Sequence, residues 1–301
     1  MSIRSANKSP IMRFKQTVLD LAIEEIENMF AKSMSGSADE IFKIYLPTGS
    51  LLYEGGLRDG NRSGEGTLYE NSLKVYEGKW NMDKQEGQGS SYEKGIIVYD
   101  GMWKNSMRNG EGTIHDELGE KEYTGLWRND LKEGEGVYYK DTHKFFEGGY
   151  KNGLKDGLGI LWHPDGYKEY EGNWKNDKRH GQGYLLNSEG EIIYEGCWAD
   201  DVKEGEGIFY VDGQKEYEGF WKGGNRDGNG TCWIEGKKDY IGEWKEDKRD
   251  GYGIWFYPSG EKKYEGTWKV DMRSGKGILY VNGMKKYEGD WKIDKRDGNG
   301  C

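Results

Sequence analysis

The sequence predicts a mainly β protein in which tandem β-hairpins form one elongated, twisted, single antiparallel sheet, preceded by one N-terminal amphipathic α-helix. Three observations predict this fold. A unit of 23 or 24 residues recurs eleven times, and every unit carries a paired glycine motif. Aromatic residues make up 14% of a chain whose mean hydropathy is −1.00. This is too aromatic for a solvated coil, so we expect a folded chain without a thick core.

Each repeating unit begins with an aromatic-x-Gly triplet. A Gly-x-Gly motif follows eleven residues after the aromatic, as Gly181 and Gly183 follow Tyr170. Tryptophan stands four residues after the aromatic in nine units, and Leu57 and Tyr150 replace it in the other two. This regularity predicts a repeat architecture. The units begin at Tyr53, Tyr76, Tyr99, Tyr123, Phe146, Tyr170, Tyr194, Tyr217, Tyr240, Tyr264 and Tyr287.

The spacing inside one unit predicts a hairpin. Side chains alternate along a strand, so the first, third and fifth residues of Tyr-x-Gly-x-Trp share one face of the sheet. We expect a six-residue polar loop, residues 175–180 for example, to reverse the chain and to pair Trp174 with Gly181. The same reversal pairs Gly172 with Gly183 and Tyr170 with Leu185. Each indole then lies over a glycine, whose missing Cβ leaves room for the ring.

The two faces of the predicted sheet differ in chemistry. An acidic residue directly follows the aromatic in nine units, and a lysine or arginine commonly stands four residues further on. We interpret that face as solvated and salt-bridged.

The aromatic face is the predicted interaction surface, because large exposed apolar surfaces usually mark binding sites. An N-terminal helix about 30 Å long covers only part of it. The remaining rings must be covered by curling of the sheet, by self-association or by other proteins, and we predict that a partner covers them. The predicted partner-binding residues are Tyr76, Trp80, Tyr99, Trp103, Tyr123, Trp127, Phe146, Tyr150, Tyr170, Trp174, Tyr194, Trp198, Tyr217, Trp221, Tyr240, Trp244, Tyr264, Trp268, Tyr287 and Trp291.

The N-terminal segment, residues 1–40, differs from the array that occupies residues 41–301. Its apolar residues recur at steps of three and four, which predicts an amphipathic helix over residues 11–33, followed by a linker. An extra strand is expected at about residues 41–46. The helix has two interpretations: it caps its own sheet, or it docks on another subunit. We favour the first because the ends of repeat arrays need caps.

The remaining composition excludes several kinds of site. A net charge of −10 argues against nucleic acid as a partner. Cys197, Cys232 and Cys301 have no C-x-x-C spacing, so we expect no disulfide framework and no zinc site, in an intracellular, reducing compartment. The four histidines stand at different offsets in different units. The sequence therefore predicts no catalytic residue, no metal and no cofactor.

The motif Tyr-Glu-Gly-x-Trp followed by Lys-x-Asp-x-Arg-x-Gly-x-Gly, as in residues 264–277 and 287–300, resembles the MORN repeat. The resemblance covers about residues 41–301. It implies a non-enzymatic scaffold similar to the free-standing MORN arrays of radial spoke heads and of protist cytoskeletal proteins.

The resemblance also implies partners and a location. We expect other protein subunits of a ciliary or cytoskeletal complex as partners, with a location in the cilium axoneme, for example the radial spoke, or in the cytoskeleton. A homodimer stays open. The alternative is a membrane-associated module that binds acidic phospholipids, although the acidic net charge makes a membrane a weaker expectation.

Overall fold

The computed structural model describes residues 41–298. The predicted mainly β fold is confirmed, with 23 strands in one open antiparallel sheet. Contacts divide the chain into two compact units, the first ending at Leu131 and the second beginning at Lys132. The predicted helix over residues 11–33 lies outside the described residues. Between residues 41 and 298 there is no helix with the length and hydropathy needed to span a membrane.

The first unit contains β1 to β8, and each strand pairs with the next strand along the chain. Its first strand lies within residues 41–46, where the sequence predicts an extra strand. The strands are β1 (Phe42–Tyr45), β2 (Leu51–Arg58), β3 (Asn61–Glu70), β4 (Leu73–Asn81), β5 (Lys84–Glu93), β6 (Ile96–Lys104), β7 (Met107–His115) and β8 (Lys121–Arg128).

The second unit holds the later strands, which also pair in chain order. They are β9 (Leu131–Lys140), β10 (His143–Lys151), β11 (Leu154–Trp162), β12 (Lys168–Lys175), β13 (Lys178–Leu186), β14 (Ile192–Ala199), β15 (Val202–Val211), β16 (Gln214–Lys222), β17 (Asn225–Ile234), β18 (Lys237–Lys245), β19 (Lys248–Phe256), β20 (Lys262–Lys269), β21 (Met272–Val281), β22 (Met284–Lys292) and β23 (Lys295–Asp297).

The turn inside a repeat is shorter than the sequence suggests. Lys175 pairs with Lys178, so only Asn176 and Asp177 lie outside the ladder. Both have positive φ, 50° and 68°, the backbone of a two-residue turn that matches the twist of a hairpin. The predicted six-residue loop over residues 175–180 is therefore wrong. Asn and Asp tolerate this left-handed backbone better than most residues, which lets the strands continue to the turn.

The register is confirmed in two pairs, one of them Tyr170 with Leu185, and is wrong in a third. Gly172 pairs with Gly183 as predicted, but Trp174 pairs with Arg179 instead of Gly181. The register shifts between Gly172 and Trp174, and Gly181 has a φ of +68°. A glycine in this conformation is typical of a β-bulge. Gly181 instead pairs with the tryptophan of the next unit, Trp198.

Candidate functional site

In nine units, the first aromatic ring lies across the glycine pair of its own hairpin. A Cβ placed on Gly183 would overlap the phenol ring of Tyr170, and a Cβ on Gly172 would overlap the Gly183 backbone. The Tyr170 hydroxyl donates a hydrogen bond of 3.1 Å to the Asn173 carbonyl oxygen. The paired glycines thus accommodate tyrosine, whereas the sequence predicts that they accommodate the indole.

Each of the nine tryptophans that stand four residues after a first aromatic packs between two first aromatics. Trp198 stands edge to face with Tyr194 of its own unit and with Tyr170 of the preceding unit, at ring-centroid distances of 5.1 and 5.6 Å. Its Nε1 donates to the carbonyl oxygen of Gly183 at 3.4 Å. Edge-to-face geometry is the favoured arrangement of aromatic pairs. Within each of the two compact parts of the chain, up to Leu131 and from Lys132, the rings therefore form a continuous row that links neighbouring repeats.

This row buries the aromatic face, and the expectation of an uncovered aromatic surface is wrong. All twenty rings predicted to bind a partner are at most 9% exposed. Neighbouring rings cover one another, and cationic side chains cover eight of the nine indoles. The role of these rings in partner binding stays a prediction, without the exposed surface on which it was based.

The contact between these cationic side chains and the indoles is not among the features predicted from the sequence. Nine residues after the first aromatic, an arginine in six units stacks on the tryptophan of the next unit. For Arg249, the guanidinium carbon lies 4.2 Å from the Trp268 ring centroid. Such contacts stabilise most when the cation is partly desolvated. The six arginines are Arg62, Arg108, Arg179, Arg226, Arg249 and Arg273.

An aspartate in the turn of the next unit fixes each arginine, and we name the pair the arginine clasp. Asp271 Oδ1 accepts hydrogen bonds from the backbone N and the Nε of Arg249, at 2.9 and 3.2 Å. Partial burial acts to raise the pKa of Asp271, but these hydrogen bonds outweigh it and hold the pKa below its ordinary value. The signal in the sequence is an aspartate seven residues, and an arginine nine residues, after the first aromatic.

Lys203 takes the arginine position without a clasp. The turn of the next unit has Gly224 where seven other units have aspartate. The ammonium of Lys203 lies 4.8, 4.5 and 4.6 Å from the ring centroids of Tyr194, Phe209 and Trp221. Burial lowers the pKa of Lys203, and only a weak effect of Asp247 opposes it. This part of the row therefore carries a cation without a neighbouring carboxylate in hydrogen-bond contact.

The opposite face carries the acidic residues, as predicted, but their partners differ. Lys168 Nζ lies 2.9 Å from Glu171 Oε2, and the same pairing with a lysine three residues earlier recurs in five other units. The expected cation four residues further on is not the partner in these pairs. A strand places residues three apart on opposite faces, but a register shift follows each lysine and returns its side chain to the carboxylate.

Large apolar side chains are exposed among these carboxylates in the compact part of the chain that begins at Lys132. Leu158 is 70% exposed, Tyr184 46%, Phe220 44% and Tyr252 52%. Tyr184 and Phe220 line a groove of about 450 Å³ over β13 to β16. The groove is also lined by Gln182, Glu195, Glu206, Ile208, Glu218 and the backbone of four glycines.

The residue types that could support catalysis are scattered. Among residues 41–298, no three His, Cys, Asp or Glu side chains are grouped so that they could hold a metal ion. Burial, followed by the Asp239 carboxylate, raises the pKa of the Cys232 thiol to about 11. The thiol is therefore protonated at neutral pH, which makes it a poor nucleophile.

The fold and the ring row define a class of protein: tandem β-hairpin repeats that share one aromatic core from unit to unit. The family model described as MORN repeat matches the chain in eleven segments, and the chain belongs to the MORN-repeat family. Such repeats are consistent with a protein-interaction or membrane-binding module, and MORN-repeat proteins are generally non-enzymatic scaffolds. No curated protein matches the chain. The matched residues are 53–72, 76–93, 99–116, 123–143, 146–166, 170–190, 194–215, 217–237, 240–262, 264–285 and 287–301.

Proposed function

We propose that the chain is a non-enzymatic scaffold that binds other proteins through the face opposite its aromatic core. The observation that carries the proposal is the contrast between the two faces. The rings of the core are at most 9% exposed, whereas Tyr184 and Phe220 on the other face are each more than 40% exposed. Aromatic side chains that stand in water at the centre of a surface patch are typical anchors of protein interfaces.

The aromatic core supports this role because the repeats themselves bury its rings. Each unit contributes rings to its neighbours, and six hydrogen-bonded clasps fasten these rings, as Arg179 does with Asp201. The aromatic face therefore needs no partner to remove it from water. The other face is free to carry side chains that differ from unit to unit, as Leu158, Phe220 and Tyr252 do.

Affinity capture of the full chain from cells, followed by quantitative mass spectrometry, tests the proposal. The double variant Tyr184→Ser and Phe220→Ser is compared with Leu118→Ser, which changes an aliphatic side chain that is 85% exposed in a turn of the first unit. We expect the double variant to lose partner proteins that Leu118→Ser retains, with equal circular dichroism. Equal retention by both variants would overturn the proposal.

A membrane-associated module that binds acidic phospholipids is the second candidate. Basic pairs at the strand starts that follow the turns support it, for example Lys248 and Arg249. Both side chains are already paired with an acidic residue, because Lys248 Nζ lies 3.6 Å and Arg249 Nε 3.2 Å from the Asp271 carboxylate. Cosedimentation of the full chain with phosphatidylserine vesicles distinguishes the two functions. Salt-sensitive binding to these vesicles, with no protein partner in the capture, favours the membrane module.

We further propose a structural subunit of a ciliary axoneme complex, such as the radial spoke head, or of a related cytoskeletal assembly. The support is the resemblance of the chain to free-standing MORN arrays. Fluorescence imaging of the tagged chain in ciliated cells tests this location. Signal along the axoneme is expected, and a diffuse signal that never enters cilia would contradict it.

A further inference from the structure

We infer that the groove over β13 to β16 binds a segment of a partner protein that carries lysine or arginine between apolar side chains. The inference rests on the scaffold role and adds the chemistry of its partner. The groove lies on the face opposite the aromatic core, because its lining residues alternate with the buried rings along each strand.

Two rows of side chains border the groove. Tyr184 pairs with Glu195, Glu195 with Ile208, and Ile208 with Glu218, so apolar and acidic residues alternate across four strands. In the second row, Glu206 pairs with Phe220. Backbone of Gly183, Gly196, Gly207 and Gly219 forms the floor between the rows. The groove thus offers apolar contacts and carboxylates at alternating positions.

The charged side chains that line the groove are all acidic. Three carboxylates line it, and no lysine or arginine does. Glu218 pairs with Lys215 at 2.8 Å, and Glu195 accepts a hydrogen bond of 2.7 Å from the neutral hydroxyl of Tyr210. Glu206 makes no side-chain hydrogen bond or ion pair with any residue between 41 and 298. Two carboxylates therefore remain without a cation, so a cationic ligand is favoured and an anionic surface repelled.

The exposed aromatic residues restrict the class of ligand further. A small cation would satisfy Glu206 but would leave Tyr184 and Phe220 in water, 46% and 44% exposed. A peptide segment covers these rings with its apolar side chains while its cations reach Glu195 and Glu206. At protein interfaces, aromatic rings usually cover apolar surface, whereas charged groups select the orientation of the partner.

Fluorescence anisotropy with the full chain tests the inference. The probe is a fluorescein-labelled peptide with a Lys-Ser-Leu-Ser repeat, and the same peptide with Glu in place of Lys is the charge control. The groove variant combines Glu195→Gln, Glu206→Gln and Glu218→Gln. The matched control combines Glu171→Gln, Glu265→Gln and Glu288→Gln, which remove the same charge from the same face outside the groove.

We expect the lysine peptide to bind, the glutamate peptide not to bind, and the groove variant to lose affinity by about tenfold while the matched control loses about twofold or less. Equal losses in the two variants would overturn the inference. So would the absence of lysine-peptide binding, although partner capture through Tyr184 and Phe220 would then still support the scaffold. Self-association that the groove variant abolishes would make a second copy the ligand and would also overturn it.

Discussion

Arg249 and Asp271 come from neighbouring repeats and are joined by four hydrogen bonds. The backbone N and the Nε of Arg249 donate to Asp271 Oδ1, and Nη2 donates to the Asp271 carbonyl oxygen at 3.4 Å. The backbone N of Asp271 donates in return to the Arg249 carbonyl oxygen at 2.9 Å. The guanidinium held in this way covers the Trp268 ring. One pair therefore fixes a turn, a strand end and a core ring together.

The clasp predicts energetic coupling between repeats. Arg249→Ala removes both the hydrogen bonds and the ring contact, and we expect it to lower the free energy of unfolding by about 2 kcal/mol. Asp271→Asn keeps a residue that tolerates positive φ and removes only the charge. We therefore expect it to lower the free energy of unfolding by about 0.5 kcal/mol. A double-mutant cycle in urea measures the coupling. Strictly additive effects would contradict the clasp as a unit.

The paired glycines predict a strong position dependence of glycine substitutions. Gly253→Ala places a Cβ inside the Tyr240 ring, and we expect a loss of about 3 kcal/mol from the forced repacking. Gly166→Ala is the matched control, because its φ is +91° and no atom lies within 4 Å of the added Cβ. Its cost should be only the backbone strain, about 1 kcal/mol. Similar urea midpoints for the two variants would show that tyrosine does not occupy the glycine pair.

The missing clasp at Lys203 predicts a stabilising double substitution. Gly224 has a φ of +84°, close to the +72° of Asp201 at the same turn position, and a Cβ there meets only the Val202 side chain at 3.6 Å. Lys203→Arg with Gly224→Asp should therefore form a clasp and raise the free energy of unfolding by about 1 kcal/mol. Each single substitution is the control. A double variant no more stable than the better single variant would contradict this prediction.

The buried tyrosines predict alkaline unfolding. Burial raises the pKa of Tyr53 and of Tyr264 to about 12, with Arg62 and Arg273 opposing the shift. An unfolded tyrosine has a pKa of about 10. The folded chain then retains protons that the unfolded chain loses, so this stability is complete below pH 10 and declines as pH rises from 10 through 12. Phenolate absorbance of the core tyrosines should rise together with the loss of β circular dichroism. Ionisation of these tyrosines near pH 10 in a chain with intact dichroism would contradict their burial.

The sequence predicts the hairpin repeat because alternation and glycine spacing are local properties of one unit. The pairing of Gly172 with Gly183 follows from that spacing alone. The turn length does not, because Arg179 is polar and resembles a loop residue while it lies in β13. Its side chain belongs to the core face, where it covers Trp198.

Burial of the rings could not be predicted from one unit either. It depends on the contact of Trp198 with Tyr170 of the preceding repeat, and hence on a register shift of two residues at the bulge. The groove residues Glu206 and Phe220 vary from unit to unit, so the repeat pattern did not single them out. An arginine and an aspartate at constant offsets were the available signal for the clasp.

Photo-crosslinking from two phenylalanines on neighbouring strands tests most directly whether partners bind the face opposite the aromatic core. Phe220 is 44% exposed beside the groove, whereas the Phe209 ring lies on the core face, 6.3 Å from the Trp221 ring. Benzoylphenylalanine is placed at one position or the other in the full chain and irradiated in cells. We expect partner crosslinks from position 220 and none from position 209. Crosslinks from position 209 alone would show that the aromatic face binds the partner and would contradict the proposed function.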